Sequence, residues 1–492
     1  MTTYKYNKGP LITAIVAVDS EWGIGKNNNI PWNCPSDREK FKSITSECPK
    51  DLINVVIMGR KTYQTINKPL SDRIIYIISN TININNDNIK TFRCINDAIN
   101  NAYNKPNIHK IFIVGGCNIY LEGILHPLCN NILITKFIHN YNCDVKFPYN
   151  ILKDNYTLEK NKLCNIEYDE YTYVRNNIGE KSYLELLNKI ILNGDKTNNR
   201  TGIDTLSLFS ENLRFDLYEK NNQESIRMIV PLLTTKHVSF RLIYEELLWF
   251  LRGDNTIDYL KEKNIHIWDA NTSREFLDKC NLKNYREGEI GPGYGSNWRH
   301  FGAKYVCEND KKVYMLGIAN KEIDQIEYII NNIKKNPFDR RHVLTAWNPT
   351  QLDEVALPAC HLMSIFKVSP DVLGNPKWLS CQLVMRSADV FLGVPFNIVS
   401  YSILTHMIAN ITGLVAKELA VVMVDAHLYT NHIEQAKLQS YRQILGFPYI
   451  VFSEEIKKKI NNSTIKIDDF VSDSIILTNY YSHNLIQADM AI

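Results

Sequence analysis

The chain has 492 residues, 45% of them hydrophobic, which is enough for two or more domains with cores of their own and too apolar for disorder to be the default. Lys and Arg number 56 against 53 Asp and Glu, and a net charge of +3 argues against a nucleic-acid partner held by bulk charge. Eleven cysteines without a C-x-x-C pair or Cys/His ligand spacing argue against a disulfide scaffold or a metal site and for a reducing compartment.

The first apolar run, "LITAIVAV", is too short to span a membrane and is followed by Asp19 and Glu21, so it reads as a strand. No targeting signal is visible, and a cytoplasmic location is expected. The β-rich runs "NVVIMG", "RIIYIIS", "IFIVGG" and "NILITKF" follow, alternating with the helical stretches "SDREKFKSIT", "KTYQTI", "INDAINNAY" and "NIYLEGIL". This alternation predicts an α/β domain with a largely parallel, buried sheet. After "EYTYVRNNIGEKSY" the pattern changes to the helices "SYLELLNKIIL" and "VSFRLIYEELLWFLRG", then strands, then the apolar helix "NIVSYSILTHMIANITG". A second, α+β domain is expected, with boundaries at 1–176 and 177–492.

Within "PSDREKF", Ser36 and Glu39 have capping-box spacing, which makes Ser36 the expected N-cap and puts Asp37 in the first turn. Asp37, Phe41 and Ile44 share one helical face, so the acid is either a partner of the helix dipole or a carboxylate in an apolar cleft. The wider setting decides for the cleft. "IVAVDSEWGIGKNNNIPWNCPSDREKF", "VIMGRKTYQTI", "PLSDRIIYIIS" and "IFIVGGCNIY" resemble dihydrofolate reductases, in that family's order, over residues 10–175. The resemblance implies that Asp37 binds the pterin, where a carboxylate accepts two parallel N–H donors. It also implies that Thr135 supports Asp37, Trp32 orders a water, Phe41 and Ile66 sandwich the folate, and Arg73 pairs with its carboxylate. For NADPH it implies Arg60, Lys61 and Thr62, with Ser79 and Asn80, at the phosphates. Ala17, Ile24, Gly115, Gly116 and Tyr120 would complete the cofactor site.

In "LPACHLMSIF" the pair Cys360–His361 invites the reading of an activated thiolate, yet neighbours in an extended segment face opposite ways. A lone Cys is more often a buried hydrophobe, and activation needs cations or donors from elsewhere. "NNRTG", "DRRHVLTAWNP" and "LVMRSAD" supply Arg200, Arg340, Arg341 and Arg386, whose guanidinium forks suit a dianion. In "RLIYEELLWFLRG", Ile243, Leu247 and Phe250 form a stripe with Glu246 at its edge, while Glu245 is expected to face solvent.

"PLLTTK", "EELLWFLRGD", "IHIWDANTSREFLD", "GPGYGSNWRHFGA", "DRRHVLTAWNP", "LPACH", "RSADVFLGVPFNI", "DAHLYTNHIE" and the closing "DMAI" resemble thymidylate synthases, in order, from about residue 180. The resemblance implies that Cys360 attacks C6 of dUMP, that Glu246 is the general acid/base and that Tyr294 serves the proton relay. Arg200, Arg386 and Ser387 would hold the phosphate, joined by Arg340 and Arg341 from a partner subunit in a homodimer. Asn397 would read uracil, since an amide can accept from N3–H and donate to O4. His427 and Tyr429 would hold the ribose, and Asp389, with Trp268, Asn271, Leu392, Gly393 and Phe396, would line the nucleotide and methylenetetrahydrofolate sites, with Met490 closing them. No metal is implied.

The chain departs from the synthase pattern at Ala359 (usually Pro), Met385 (usually Gln), Ala388, Gly293, Asn297 and Val424, and about ten residues near 219–229 look inserted. The main expectation is therefore a fused enzyme with both activities. Met385 and Ala359 are the best support for an alternative, an active reductase carrying an impaired synthase half as a dimerising scaffold. A hydroxymethylase acting on dUMP or dCMP is a further alternative, and Asn397 in place of an Asp argues against dCMP.

Overall fold

The computed structural model describes residues 9–66, 70–163, 167–199, 201–220, 226–308, 311–315 and 322–489. The chain divides into two compact units: Met1–Asn177 with Lys220–Ser225 and Ile444–Gly446, and Ile178–Glu219 with Ile226–Gln443 and Phe447–Ile492.

The first unit is built on β1 (Ile12–Val18), α1 (Pro35–Ser46), β2 (Ile53–Gly59), α2 (Arg60–Thr65), β3 (Arg73–Ile78), β4 (Ile89–Phe92), α3 (Ile95–Tyr103), β5 (Ile108–Ile113), α4 (Cys117–Ile124), β6 (Cys129–Phe137), β7 (Tyr156–Leu163) and β8 (Tyr168–Arg175). These strands form one eight-stranded sheet in the order β4-β3-β2-β5-β1-β6-β8-β7. The first six run parallel, and β8 turns antiparallel to β6 and to β7. Val55, Val56, Ile57 and Met58 are fully buried in succession, as a strand covered on both faces requires. Because β5 sits between β1 and β2, the carboxyl ends of all three open side by side, where open α/β sheets place their ligands.

The second unit contains α5 (Ile178–Asn193), β9 (Thr205–Asp216), α6 (Phe240–Leu251), α7 (Tyr294–Arg299), β10 (Val343–Thr345), β11 (His361–Pro370), β12 (Pro376–Met385), β13 (Ala388–Asp389), α8 (Gly393–Ile411) and β14 (Val415–Tyr429). Its seven-stranded sheet runs from the edge strand Asp195–Thr197 through β9, β14, β12 and β11 to β10, with β13 beside β14. Helix α8 packs on this sheet and is buried nearly all round. Its Ser402 and Thr405 hydroxyls donate to the carbonyls of Ile398 and Tyr401, both at 2.6 Å, which lets polar residues sit inside the core.

Two local expectations are corrected. Helix α1 begins at Pro35 with Cys34 as N-cap, so Ser36 lies inside the first turn. Proline's fixed φ suits the first helical position and shifts the start by one residue. Glu245 is 4% exposed rather than solvated, because Tyr259, on the short helix Asp258–Glu262, closes over it and donates its hydroxyl at 2.5 Å.

Candidate active sites

In the second unit, Cys360 stands immediately before β11, and Arg386 follows the last residue of the neighbouring strand β12. The strand pairing therefore brings residues 26 positions apart together. Arg386 donates from Nε to Ala359 O and from Nη2 to Pro358 O, both at 2.9 Å, and its backbone N–H donates to Cys360 O at 2.9 Å. The same Nη2 lies 3.8 Å from Cys360 Sγ. One guanidinium thus braces the loop that carries the thiol and stands beside the sulfur as a cation, the setting that favours thiolate. With Ala359 in place of a proline, the loop keeps its shape through these bonds, which use carbonyls and not the side chain.

Cys360 opens into a cavity of ≈ 680 Å³. Glu246, Tyr294, Trp268, Asn271, Arg386, Ser387 and Asp389 line it, with Leu392, Gly393, Phe396 and Asn397 from the start of α8 and His427 and Tyr429 from the end of β14. Tyr294 Oη accepts the Cys360 backbone N–H at 2.7 Å. Asp389 Oδ1 accepts the N–H groups of Phe391 and Leu392, holding the turn into α8. Glu246 accepts the Trp268 indole N–H at 2.7 Å; burial raises its carboxyl to about 7 despite that bond. A carboxyl titrating there can both give and take a proton at neutral pH.

Sequence reasoning missed Thr197, Asn198, Asn199 and Thr201, which also line the cavity and carry no signal beyond polarity. It also set His361 aside. His361 lines the same cavity, but its Nδ1 pairs with Tyr401 Oη at 2.8 Å and burial lowers its imidazole to about 3. It is neutral, and so is not a cation that could stabilise a thiolate at Cys360. Arg340 and Arg341 lie outside the cavity, exposed, with Arg341 paired to Asp339 at 2.9 Å. Arg200 and Met490 fall outside the described residues. Met385 is buried in the cavity wall, its backbone paired with His361 across β11 and β12.

In the first unit, Asp37 occupies the first turn of α1 and is half-buried, with Thr135 of β6 hydrogen-bonded to it. Burial raises the Asp37 carboxyl, Thr135 and Lys40 pull it back, and Glu170 pushes it up again. Phe41 is partly buried on the same helix, and Ile66 packs on the cluster of Val56, Met58 and Ile77. Trp32 stands 4.9 Å from Phe137, ring centre to ring centre. Arg73 is 4% exposed at the head of β3 and donates to Thr45 Oγ1 at 2.5 Å and to Ser71 O at 2.9 Å.

Beyond the carboxyl ends of β2 and β5 lie the segments Arg60–Thr62 and Gly115–Gly116, tied together by Gly59 N–H donating to Gly115 O at 2.8 Å. Gly115 has φ of 124°, a backbone that other residues rarely adopt. A Cβ on Gly116 would stand 3.5 Å from Thr62 Oγ1 and one on Gly115 3.4 Å from the Tyr120 ring, so side chains would fill this cradle. Bare backbone beside two cations and the start of α4 fits a phosphate-bearing dinucleotide. Ser79 Oγ orders the next turn by accepting from Thr81 and Ile82 N–H, with Asn80 exposed beside it. Tyr120 is buried, donates to Ile15 O at 2.8 Å and feels the Asp37 carboxylate, so cradle and acid share one neighbourhood. Ala17 pairs with Thr135 across β1 and β6, and Ile24 lies in the short strand Gly23–Gly25, both partly buried. Among the described residues, no group of His, Cys, Asp and Glu is arranged to hold a metal.

Comparison with known proteins follows the same division. Residues 11–178 match the dihydrofolate reductase family and residues 181–492 the thymidylate synthase family. The chain is 36% identical to a bifunctional dihydrofolate reductase-thymidylate synthase of Paramecium tetraurelia over 507 aligned positions, covering 100% of both chains. It is 35% identical to such proteins of Arabidopsis thaliana and Leishmania major, covering 97% of this chain in each case and 95% and 94% of the relatives. The chain belongs to the bifunctional dihydrofolate reductase–thymidylate synthase family.

Proposed function

We propose that the two sites work in series on one folate, with the residue roles that follow. The synthase half converts dUMP to dTMP with methylenetetrahydrofolate, and the reductase half returns the resulting dihydrofolate to tetrahydrofolate with NADPH. The observation that carries the residue assignment is the convergence of Cys360, Arg386 and Glu246 on one cavity.

Cys360 Sγ adds to C6 of the pyrimidine, which makes C5 the carbon nucleophile that accepts the one-carbon unit. Arg386 has a double task, bracing the thiol loop and offering cationic charge to the nucleotide phosphate with Ser387; Arg200 is assigned to the same phosphate. Glu246, poised near neutrality, moves the protons, with Tyr294 as relay. Asn397 reads the pyrimidine edge, His427 and Tyr429 hold the ribose, and Trp268, Asn271, Asp389, Leu392, Gly393 and Phe396 shape the folate side, which Met490 closes.

In the reductase half, Asp37 holds the pterin and favours its protonation, backed by Thr135, with Trp32 ordering a water. Phe41 and Ile66 flank the ring system and Arg73 meets the folate carboxylate. Bound NADPH supplies the hydride. Arg60, Lys61, Thr62, Ser79 and Asn80 are assigned to its phosphates, and Ala17, Ile24, Gly115, Gly116 and Tyr120 to its nicotinamide and pyrophosphate.

The domain boundary is placed at 176/177. Arg340 and Arg341 are exposed and outside their own cavity, which supports their acting in a partner's site within a homodimer formed by the synthase half. Phe209, 83% exposed on β9, adds apolar surface to that sheet. Among the described residues no helix is long and apolar enough to cross a membrane, and the eight described cysteines besides Cys360 are free thiols, which supports a cytoplasmic location.

The test is a covalent complex of the protein with 5-fluoro-dUMP and methylenetetrahydrofolate, read by mass. Cys360→Ala should abolish it while dihydrofolate-dependent NADPH oxidation continues; Asp37→Asn should do the reverse. A wild-type protein that forms no adduct would overturn the synthase assignment.

A further inference from the structure

His361 and Tyr401 are buried polar groups that the scheme above leaves without a task. Tyr401, on α8, is 2% exposed, with its ring edge-on to Trp298 and to His361. Among the described residues, its hydroxyl has one hydrogen-bond partner, His361 Nδ1 at 2.8 Å. The bond could run either way. If the imidazole donated, the tyrosine O–H would be left without an acceptor among buried rings. A buried donor left unmade costs more than an acceptor with spare lone pairs. The lower-energy arrangement has the tyrosine donating and Nδ1 accepting.

A neutral imidazole that accepts at Nδ1 carries its proton on Nε2. Burial keeps this ring neutral. Its plane is fixed as well: His361 stacks on Tyr294 with ring centres 3.8 Å apart and planes 10° apart. Tyr294 in turn accepts the Cys360 backbone N–H, so ring, relay tyrosine and nucleophile form one connected assembly. His361 lines the cavity, and its Nε2 has no protein partner among the described residues.

We propose that Tyr401 is a positioning residue of the synthase site: its hydroxyl locks His361 in the Nε2–H form, so that the ring presents a donor to the cavity beside Cys360. A donor there favours a pyrimidine that offers a carbonyl and disfavours one that offers an amino group. Without Tyr401 the proton can sit on either nitrogen, and the selection weakens. The tautomer part stands on the hydrogen bond to Tyr401 and the burial of the ring; the selection part rests on the nucleotide reading of the cavity.

The test uses full-length protein labelled with 15N-histidine, without substrate. The His361 signals, identified by their loss in His361→Gln, should show a protonated Nε2 and an unprotonated Nδ1, unchanged between pH 5 and pH 8. Tyr401→Phe, which keeps the ring, should move both nitrogens towards a mixture of forms. It should also lower kcat on dUMP roughly tenfold, the worth of one buried hydrogen bond, and narrow the preference for dUMP over dCMP. In a His361→Gln background, Tyr401→Phe should have no further kinetic effect. A wild-type His361 with its proton on Nδ1 would overturn the proposal without any variant, and so would a Tyr401→Phe protein with unchanged nitrogens. If the wild type made no dTMP, the nucleotide reading would fail while the nitrogen signals still decided the tautomer.

Discussion

Glu246 and Glu245 are neighbours on one helix, and the environment gives them different work. Glu246 opens onto the cavity, and its carboxyl, raised by burial to about 7 from an ordinary 4.5, is the one that can exchange protons at neutral pH. The raised value has a stability consequence of definite sign. The folded protein holds the proton more tightly than the unfolded chain, so native stability declines as pH rises from about 4.5 to about 7. Glu246→Gln removes that decline. Its unfolding free energy should match wild type near pH 4 and exceed it above pH 7, by at most about 3 kcal/mol, with the midpoint moving the same way, while dTMP formation is lost. Equal midpoints across the range would show that the carboxyl is not strained by burial. Helical period put Glu246 at the edge of the apolar stripe, where it lines the cavity, and misplaced Glu245, since period reads only the face and not what packs on it.

At the scale of elements, the synthase half depends on clips that no local pattern announces. Glu180, in the first turn of α5, is fully buried and accepts the backbone N–H groups and hydroxyls of Thr234 and Thr235 at 2.7–2.8 Å. It fastens α5 to the segment that leads into α6, the helix carrying Glu246. Burial raises the Glu180 carboxyl and these donors lower it, burial being the larger influence. Glu180→Ala leaves four donors facing a void and should cost roughly 3–5 kcal/mol in urea unfolding; a loss under about 1 kcal/mol would mean that water or neighbours replace the carboxylate. Nothing in the sequence singles out Glu180, which lies in "EYTYVRNNIGEKSY", ahead of the predicted helix "SYLELLNKIIL". The parallel strands of the reductase half were legible because buried β-branched runs have few other uses. The short β4 and the antiparallel β7 were not, their residues being exposed or mixed.

For the molecule as a whole, the two sites are separate in chemistry, and the proposed dimer makes one of them shared. Arg341→Ala and Cys360→Ala should each be inactive as a synthase. Unfolding and refolding an equal mixture should restore activity, to about a quarter of wild type if hybrid dimers form at random and half their sites are intact. No recovery, with refolding verified by restored dihydrofolate reduction, would place Arg341 in its own subunit's chemistry. Size measurement by light scattering on the same samples reports the dimer directly.

What the sequence by itself determined is the inventory: two families of motifs in order, a carboxylate in a helix's first turn, a cysteine offered as nucleophile and arginines offered for a dianion. Those features are chemical identities at fixed spacing, and spacing along a chain needs no third dimension to be read. What only the tertiary structure decided is which groups meet. Cys360 next to His361 suggested a pair, but the β11–β12 pairing put Arg386 beside the sulfur and packing turned His361 towards Tyr401, forty residues away. Adjacency in sequence constrains two side chains weakly, because an extended backbone separates them. Adjacency across a sheet, with burial to remove competing water, settles both their contacts and their charge.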